Sequence, residues 1–359
     1  MPHHVRFIIA FSIITVLILQ GCATPSMPEA ENPQTDQVLA DCIAMVERGD
    51  YANAVTVCDQ ARSNNPDDFA AQQYYARALA GAGETENAIE AFKLAMEMDP
   101  DSLKIRMELG DLYTSVGRTD AAAAEYAAAI EMKPDFTDAL VKLAKVYKES
   151  GRLNQAVENY EKAIKTSPQQ ENLYMELADV YSAAGNHRSV YDTYRRAIEK
   201  FPQSQRIRYN YANILQSNRQ YDRAVDVYKK LLDLRPDYPN VHYNLALCYY
   251  YNGDSFRAER ELKAHFQQGG SATSRARILM GMIYKDQRNY RKAEEQFRKA
   301  IEKDPRNGDA YVHLGNVLNT MGDERGAIDA YREALRINPR DRQAKKNLKR
   351  LVGAPRGSL

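Results

Sequence analysis

Residues 103–136 read LKIRMELGDLYTSVGRTDAAAAEYAAAIEMKPDF, and residues 137–170 read TDALVKLAKVYKESGRLNQAVENYEKAIKTSPQQ. Laid over each other, these 34-residue lines share a small residue at position 8 (Gly110, Ala144) and glycine at position 15 (Gly117, Gly151). They also share alanine at 20 (Ala122, Ala156), tyrosine at 24 (Tyr126, Tyr160) and proline at 32 (Pro134, Pro168). A self-similarity of this period predicts stacked supersecondary units, each unable to bury its apolar face alone. Outward from this pair, Pro66, Pro100, Pro202 and Pro236 keep the spacing, and Pro305 and Pro339 share it with each other. Nine repeats result, at 35–68, 69–102, 103–136, 137–170, 171–204, 205–238, 239–272, 274–307 and 308–341, with Thr273 the one inserted residue.

Each column has a physical reading. Position 8 is always small (Cys42, Ala76, Ala178, Ala212, Ala246, Gly281 and Gly315 elsewhere), and position 20 is alanine in every repeat except at Val190. Two antiparallel helices approach closely only where side chains are this small. Glycine at 15, also present as Gly49, Gly83, Gly185, Gly253 and Gly322, ends the first helix in the left-handed conformation it tolerates. Tyr194, Tyr228 and Tyr331 add bulk at 24, and the proline at 32 stops the second helix.

On these columns the repeats resemble tetratricopeptide repeats over about 307 of the 359 residues. The departure is position 4, where the family often has Trp and this chain has none. The resemblance implies an all-α, right-handed α-solenoid of nine helix-turn-helix units, closed by a capping helix at 342–353 and a tail at 354–359. Ala344, Leu348, Leu351 and Val352 share one face of that cap, with Lys345, Lys346, Lys349 and Arg350 outward. It also implies a concave surface lined by positions 2, 5, 6, 9, 12 and 13 of the first helices.

Those positions carry mixed charge in repeats three and four (Lys104, Glu108, Asp111, Lys142, Lys145, Lys148). Repeats six and seven differ, presenting Arg206, Tyr209, Asn210, Asn213, Asn240, Tyr243, Asn244, Tyr250 and Tyr251, with Arg275 following. Asparagine both donates and accepts, which suits a peptide backbone, and tyrosine adds rigid contact area. A protein or peptide partner is therefore expected in this groove. Asn213, Asn244 and Arg275 also match in order part of the family's carboxylate clamp, which Tyr209 and Leu279 leave incomplete. Repeat seven is irregular: Leu262 stands at 24, His265 at 27, and Gly269-Gly270 in place of the proline, which reads as a hinge or as tolerated drift.

At the start, His3, His4 and Arg6 precede an apolar run from Phe7 to Leu19, short for a lasting membrane span and apt for a signal peptide at 1–21. The following Leu19-Gln20-Gly21-Cys22 resembles the lipobox of bacterial lipoproteins. That resemblance implies a covalent lipid on Cys22 as the only attached group, membrane contact through it, and an outer-membrane anchor facing the periplasm. Pro25, Pro28 and Pro33 mark 22–34 as a tether. Cys42 and Cys58 either pair in an oxidising compartment or remain two buried thiols, and Cys248 has no evident mate.

Lys plus Arg at 49 against Asp plus Glu at 48 argues against a nucleic-acid binder. The six histidines show no metal spacing, and no catalytic grouping or phosphate loop emerges, so no enzyme and no metal site are expected. A binding scaffold for envelope machinery is the expected role, similar to the repeat lipoproteins that assist pilus secretins. Exopolysaccharide-export or murein-hydrolase-regulating lipoproteins are the alternatives, with a targeting subunit of an enzyme such as a glycosyltransferase as the rival class. Oligomeric state stays open.

Overall fold

The computed structural model describes residues 33–353, which are all α, with nineteen helices and no strand among them. The signal peptide, Cys22, most of the tether and the tail lie outside the described residues. The helices follow in antiparallel pairs: α1 (Pro33–Glu47) and α2 (Tyr51–Asn64), α3 (Phe69–Ala82) and α4 (Thr85–Met98), α5 (Leu103–Ser115) and α6 (Thr119–Met132). Next come α7 (Thr137–Glu149) and α8 (Leu153–Thr166), α9 (Glu171–Ala183) and α10 (His187–Lys200), α11 (Gln205–Ser217) and α12 (Tyr221–Leu234). The series ends with α13 (Val241–Tyr251) and α14 (Ser255–Gln267), α15 (Ser274–Asp286) and α16 (Tyr290–Lys303), α17 (Gly308–Thr320) and α18 (Glu324–Ile337), and the cap α19 (Arg342–Gly353). Pro33 and Gln34, assigned to the tether from sequence, open α1 instead. Proline fits a first helical position because its missing N–H has no intrahelical partner there.

The chain divides into two compact units, an N-terminal one ending at Glu125 and a C-terminal one beginning at Tyr126, within α6. The repeat register does not mark this division.

Inside the C-terminal unit the small residue at position 8 is explained by the ring at position 24. A Cβ on Gly281 would stand 2.5 Å from the Phe297 ring, and one on Gly315 would stand 2.6 Å from Tyr331. Tyr160, Tyr228, Phe297 and Tyr331 are fully buried in this way. In the N-terminal unit the same two positions of repeat one hold Cys42 and Cys58, whose sulfurs are bonded across a Cα–Cα distance of 4.9 Å. The disulfide thus occupies the site of the ring contact and staples α1 to α2. Cys248 is a buried free thiol, its pKa pushed up to about 12 by burial.

All seven glycines at position 15 have positive φ. Repeats six and eight put Arg219 (φ 58) and Arg288 (φ 60) in the same left-handed turn, so the hairpin geometry overrides the side-chain preference.

Candidate functional site

Repeat seven departs from its neighbours at both ends. Its first helix begins only at Val241, because Pro239 follows Pro236 closely and Asn240 takes a left-handed φ of 62. After α14 the chain turns through Gly269 (φ 78) and Gly270 before Thr273 caps α15, accepting from the Ala276 N–H at 3.2 Å. A Cβ at Gly270 would lie 2.2 Å from the His265 ring and 2.5 Å from its carbonyl oxygen, so the turn closes only with glycine there.

Within the C-terminal unit these joints border a cavity of about 780 Å³. Tyr209, Asn240, Tyr243, Asn244 and Arg275 line it, five of the groove residues expected from sequence. His265, Ser271, Thr273, Ser274, Lys303, Asp304 and Asn307 complete the wall. Sequence reasoning passed these over because they lie outside the concave positions of first helices. The glycine pair and the inserted Thr273 were the signal that this joint is built differently.

Much of the wall is held by internal bonds. The His265 ring is 5.7 Å from that of Tyr243, and its Nε2 is 3.3 Å from the Ser271 carbonyl. Burial lowers the His265 pKa, so the neutral ring is favoured. Asn307 Nδ2 donates to Ser274 Oγ at 3.1 Å while its Oδ1 caps α17. Burial raises the Tyr243 pKa against the pull of the Arg275 charge, which keeps a neutral hydroxyl at the cavity wall.

The remaining groove candidates are placed elsewhere. Arg206 is exposed and paired with Glu171 at 3.0 Å, and Asn210 Nδ2 reaches Met175 Sδ at 3.2 Å. Tyr251 stacks on Tyr221 at 5.2 Å, whereas Tyr250 faces Asp286, its pKa pushed up to about 12 by burial and that carboxylate. Asn213 is committed internally: its Oδ1 accepts from the Tyr228 hydroxyl and from Asn244 Nδ2, the latter at 3.3 Å. The same triad recurs at the cap, where Asn316 Oδ1 accepts from Tyr331 at 2.8 Å and from Asn347 at 2.7 Å. Position 9, position 6 of the next repeat or cap and tyrosine 24 therefore form an inter-repeat joint, and Asn213 does not line the cavity. Leu279, where the clamp needs a basic residue, is buried.

Among the described residues no group of three or more His, Cys, Asp or Glu side chains is placed to hold a metal ion. No described helix is long and apolar enough to cross a membrane.

Sequence models of the tetratricopeptide repeat match residues 44–102 and 278–342, and related ones match 79–145, 114–158, 144–185, 193–226 and 213–253. The curated proteins give no match. Among solved structures the chain is similar to YrrB, a TPR protein described as having an unusual peptide-binding site. Identity is 20%, covering 50% of this chain and 93% of that one, with a TM-score of 0.39. It is also similar to MamA (22% identity, 47% and 92% covered, TM-score 0.41). A tetratricopeptide-repeat protein of Parabacteroides merdae ATCC 43184 aligns at 16% identity, with 80% and 100% covered and a TM-score of 0.42. With repeat matches from residue 44 to residue 342 and a ring-on-small-residue core in successive hairpins, the chain is a member of the tetratricopeptide-repeat proteins.

Proposed function

We propose that this protein is an envelope-anchored scaffold that holds a segment of a protein partner in the groove around Tyr209, Tyr243, Asn244 and Arg275. The observation that carries the reading is the 780 Å³ cavity, where two tyrosines, three asparagines and an exposed arginine converge. Tyrosine faces supply contact area, and the amides and guanidinium supply direction to a bound backbone or carboxylate. A photo-crosslinking residue at Tyr243 in intact cells is expected to trap a discrete partner. The same probe at exposed Arg332 on α18 should not. No adduct at Tyr243, or identical adducts from both positions, overturns the placement.

The envelope part rests on two features. One is the Leu19-Gln20-Gly21-Cys22 motif behind an apolar run. The other is the Cys42–Cys58 disulfide, a bond typical of oxidising compartments such as the periplasm. Cys22→Ser is expected to move the protein from the membrane fraction to the soluble one, and unchanged fractionation removes the anchor from the reading. Within this role, assembly of a pilus secretin is the narrower proposal. An export porin or a wall hydrolase captured at Tyr243 would redirect it.

A further inference from the structure

A further cavity, of about 590 Å³, lies within the C-terminal unit at the hairpin turns of repeats eight and nine. Gln287, Arg288, Asn289, Tyr290, Arg291 and Met321 line it, and none of them borders the Tyr/Asn groove. The lining holds two guanidiniums and no carboxylate. Arg288 and Arg291 are both exposed, and neither makes an ion pair or a side-chain hydrogen bond among the described residues. Further along the same helix α16 the pattern differs, since Arg298 pairs with Glu294 and Lys299 with Glu295. The Arg288 side chain is not needed to close its turn either. Seven repeats make that left-handed turn with glycine, whereas Arg288 makes it at φ 60.

The acids around the cavity are engaged elsewhere. Asp286 pairs with Lys285 at 3.4 Å, and Glu259 with Lys263 at 2.7 Å. Asp323 caps α18 by accepting from the Gly326 N–H at 2.9 Å, and the exposed Glu324 is followed by the equally exposed Arg325. The neutral lining amides are partly spent as well. Gln287 Nε2 donates to Glu259 at 2.9 Å and to the Ser255 carbonyl at 3.3 Å, and Asn289 Oδ1 caps α16. The free polar capacity of the recess is therefore cationic. Beside it stand apolar surfaces, the exposed thioether of Met321 and the Tyr290 ring, which is half-buried against the core. We propose that this cavity is a second partner site, taking carboxylate side chains from an extended acidic segment of a protein. A guanidinium fork pairs with a carboxylate through two parallel hydrogen bonds, and the adaptable Met321 receives an apolar neighbour on the segment. A basic occupant would be repelled by both arginines. A lipid surface is the poorer fit, because it is held by clusters of about four or more cations rather than by two in a recess. The proposal does not depend on the reading of the Tyr/Asn groove.

The test is fluorescence anisotropy on the full chain with a labelled heptapeptide alternating glutamate and leucine. Binding is expected to weaken as salt rises. Arg288→Gly with Arg291→Gln should weaken it by about tenfold or more. Misfolding does not account for such a loss, because Arg288→Gly installs the residue that most repeats use in this turn; an undiminished urea midpoint for that variant checks the point. Lys345→Gln with Lys349→Gln removes equal charge from exposed positions on α19 and should leave the affinity unchanged. Arg275→Gln should also leave it unchanged, and a peptide with lysine in place of glutamate should bind the unaltered chain about tenfold or more weakly. No measurable binding, equal affinity in the double-arginine variant, or no preference over the lysine peptide would overturn the site. An equal loss in the α19 variant would reduce the effect to net charge, and a loss in Arg275→Gln would assign the peptide to the Tyr/Asn groove; either overturns the proposal. Displacement of the peptide by phosphatidylglycerol vesicles would assign the cavity to a lipid surface and likewise overturn it.

Discussion

At the scale of single residues, position 15 separates a preference from a requirement. The hairpin demands a left-handed residue there, and Arg219 and Arg288 adopt it without the freedom glycine has. Arg288→Gly should relieve that strain, partly offset by the larger entropy glycine loses on folding, for a net gain of about 0.5 kcal/mol. A urea midpoint that fails to rise would show the turn to be unstrained. Position 8 teaches the converse. Its smallness was legible in sequence as helix proximity, but its cause, a ring or a sulfur from position 24 lying directly on it, appeared only with the packing.

Single elements show how the same repeat position acquires different duties. Position 6 is Asn244 in α13 and Asn347 in α19, both bound back to the preceding repeat, and it is His313 in α17. The His313 ring stacks on Phe297 at a centroid distance of 5.3 Å, and burial, helped by the Lys285 charge, lowers its pKa. A lowered histidine pKa means the unfolded chain takes up the proton first as pH falls. The stability it lends is therefore complete above the ordinary histidine value and is lost as pH drops through the folded value. His265 acts in the same direction. Chemical denaturation should accordingly show stability falling between neutral pH and about pH 5, with a shallower fall in His313→Gln. An identical slope in the variant would remove His313 from the account. Glu261 titrates further into acid: burial raises its pKa, but hydrogen bonds from His242 and Arg260 outweigh that and hold it below the usual carboxylate range.

Over the whole molecule, stacked hairpins contact their neighbours in sequence, so the last surface of the C-terminal unit needs a cover. The cap α19 provides it: Ala344 is fully buried, Leu348 and Leu351 pack on the core, and Asn347 closes the final Tyr331–Asn316 triad. Ending the chain after Asp341 should cost about 3 kcal/mol of buried apolar contact. It should also produce concentration-dependent association in sedimentation, and a truncated chain that stays monomeric and equally stable would deny α19 its capping role.

The period, the hairpin boundaries and the proline and glycine stops could be read from the chain because each depends on local residue chemistry repeated at a fixed spacing. That Tyr209, Asn240, Tyr243, Asn244 and Arg275 share one face was legible for the same reason, whereas Arg206, Asn210, Asn213, Tyr250 and Tyr251 do not line the cavity. Which asparagines remain available to a ligand was not legible. Asn213 and Asn244 look alike in sequence, yet only packing decides that Asn213 faces the Tyr228 hydroxyl while Asn244 also borders a cavity. Tertiary structure alone likewise joined Cys42 to Cys58 and turned the irregular joint of repeat seven into a cavity wall. Both outcomes depend on distances between separate helices, and periodicity along one chain carries the identity of a position but not what stands opposite it.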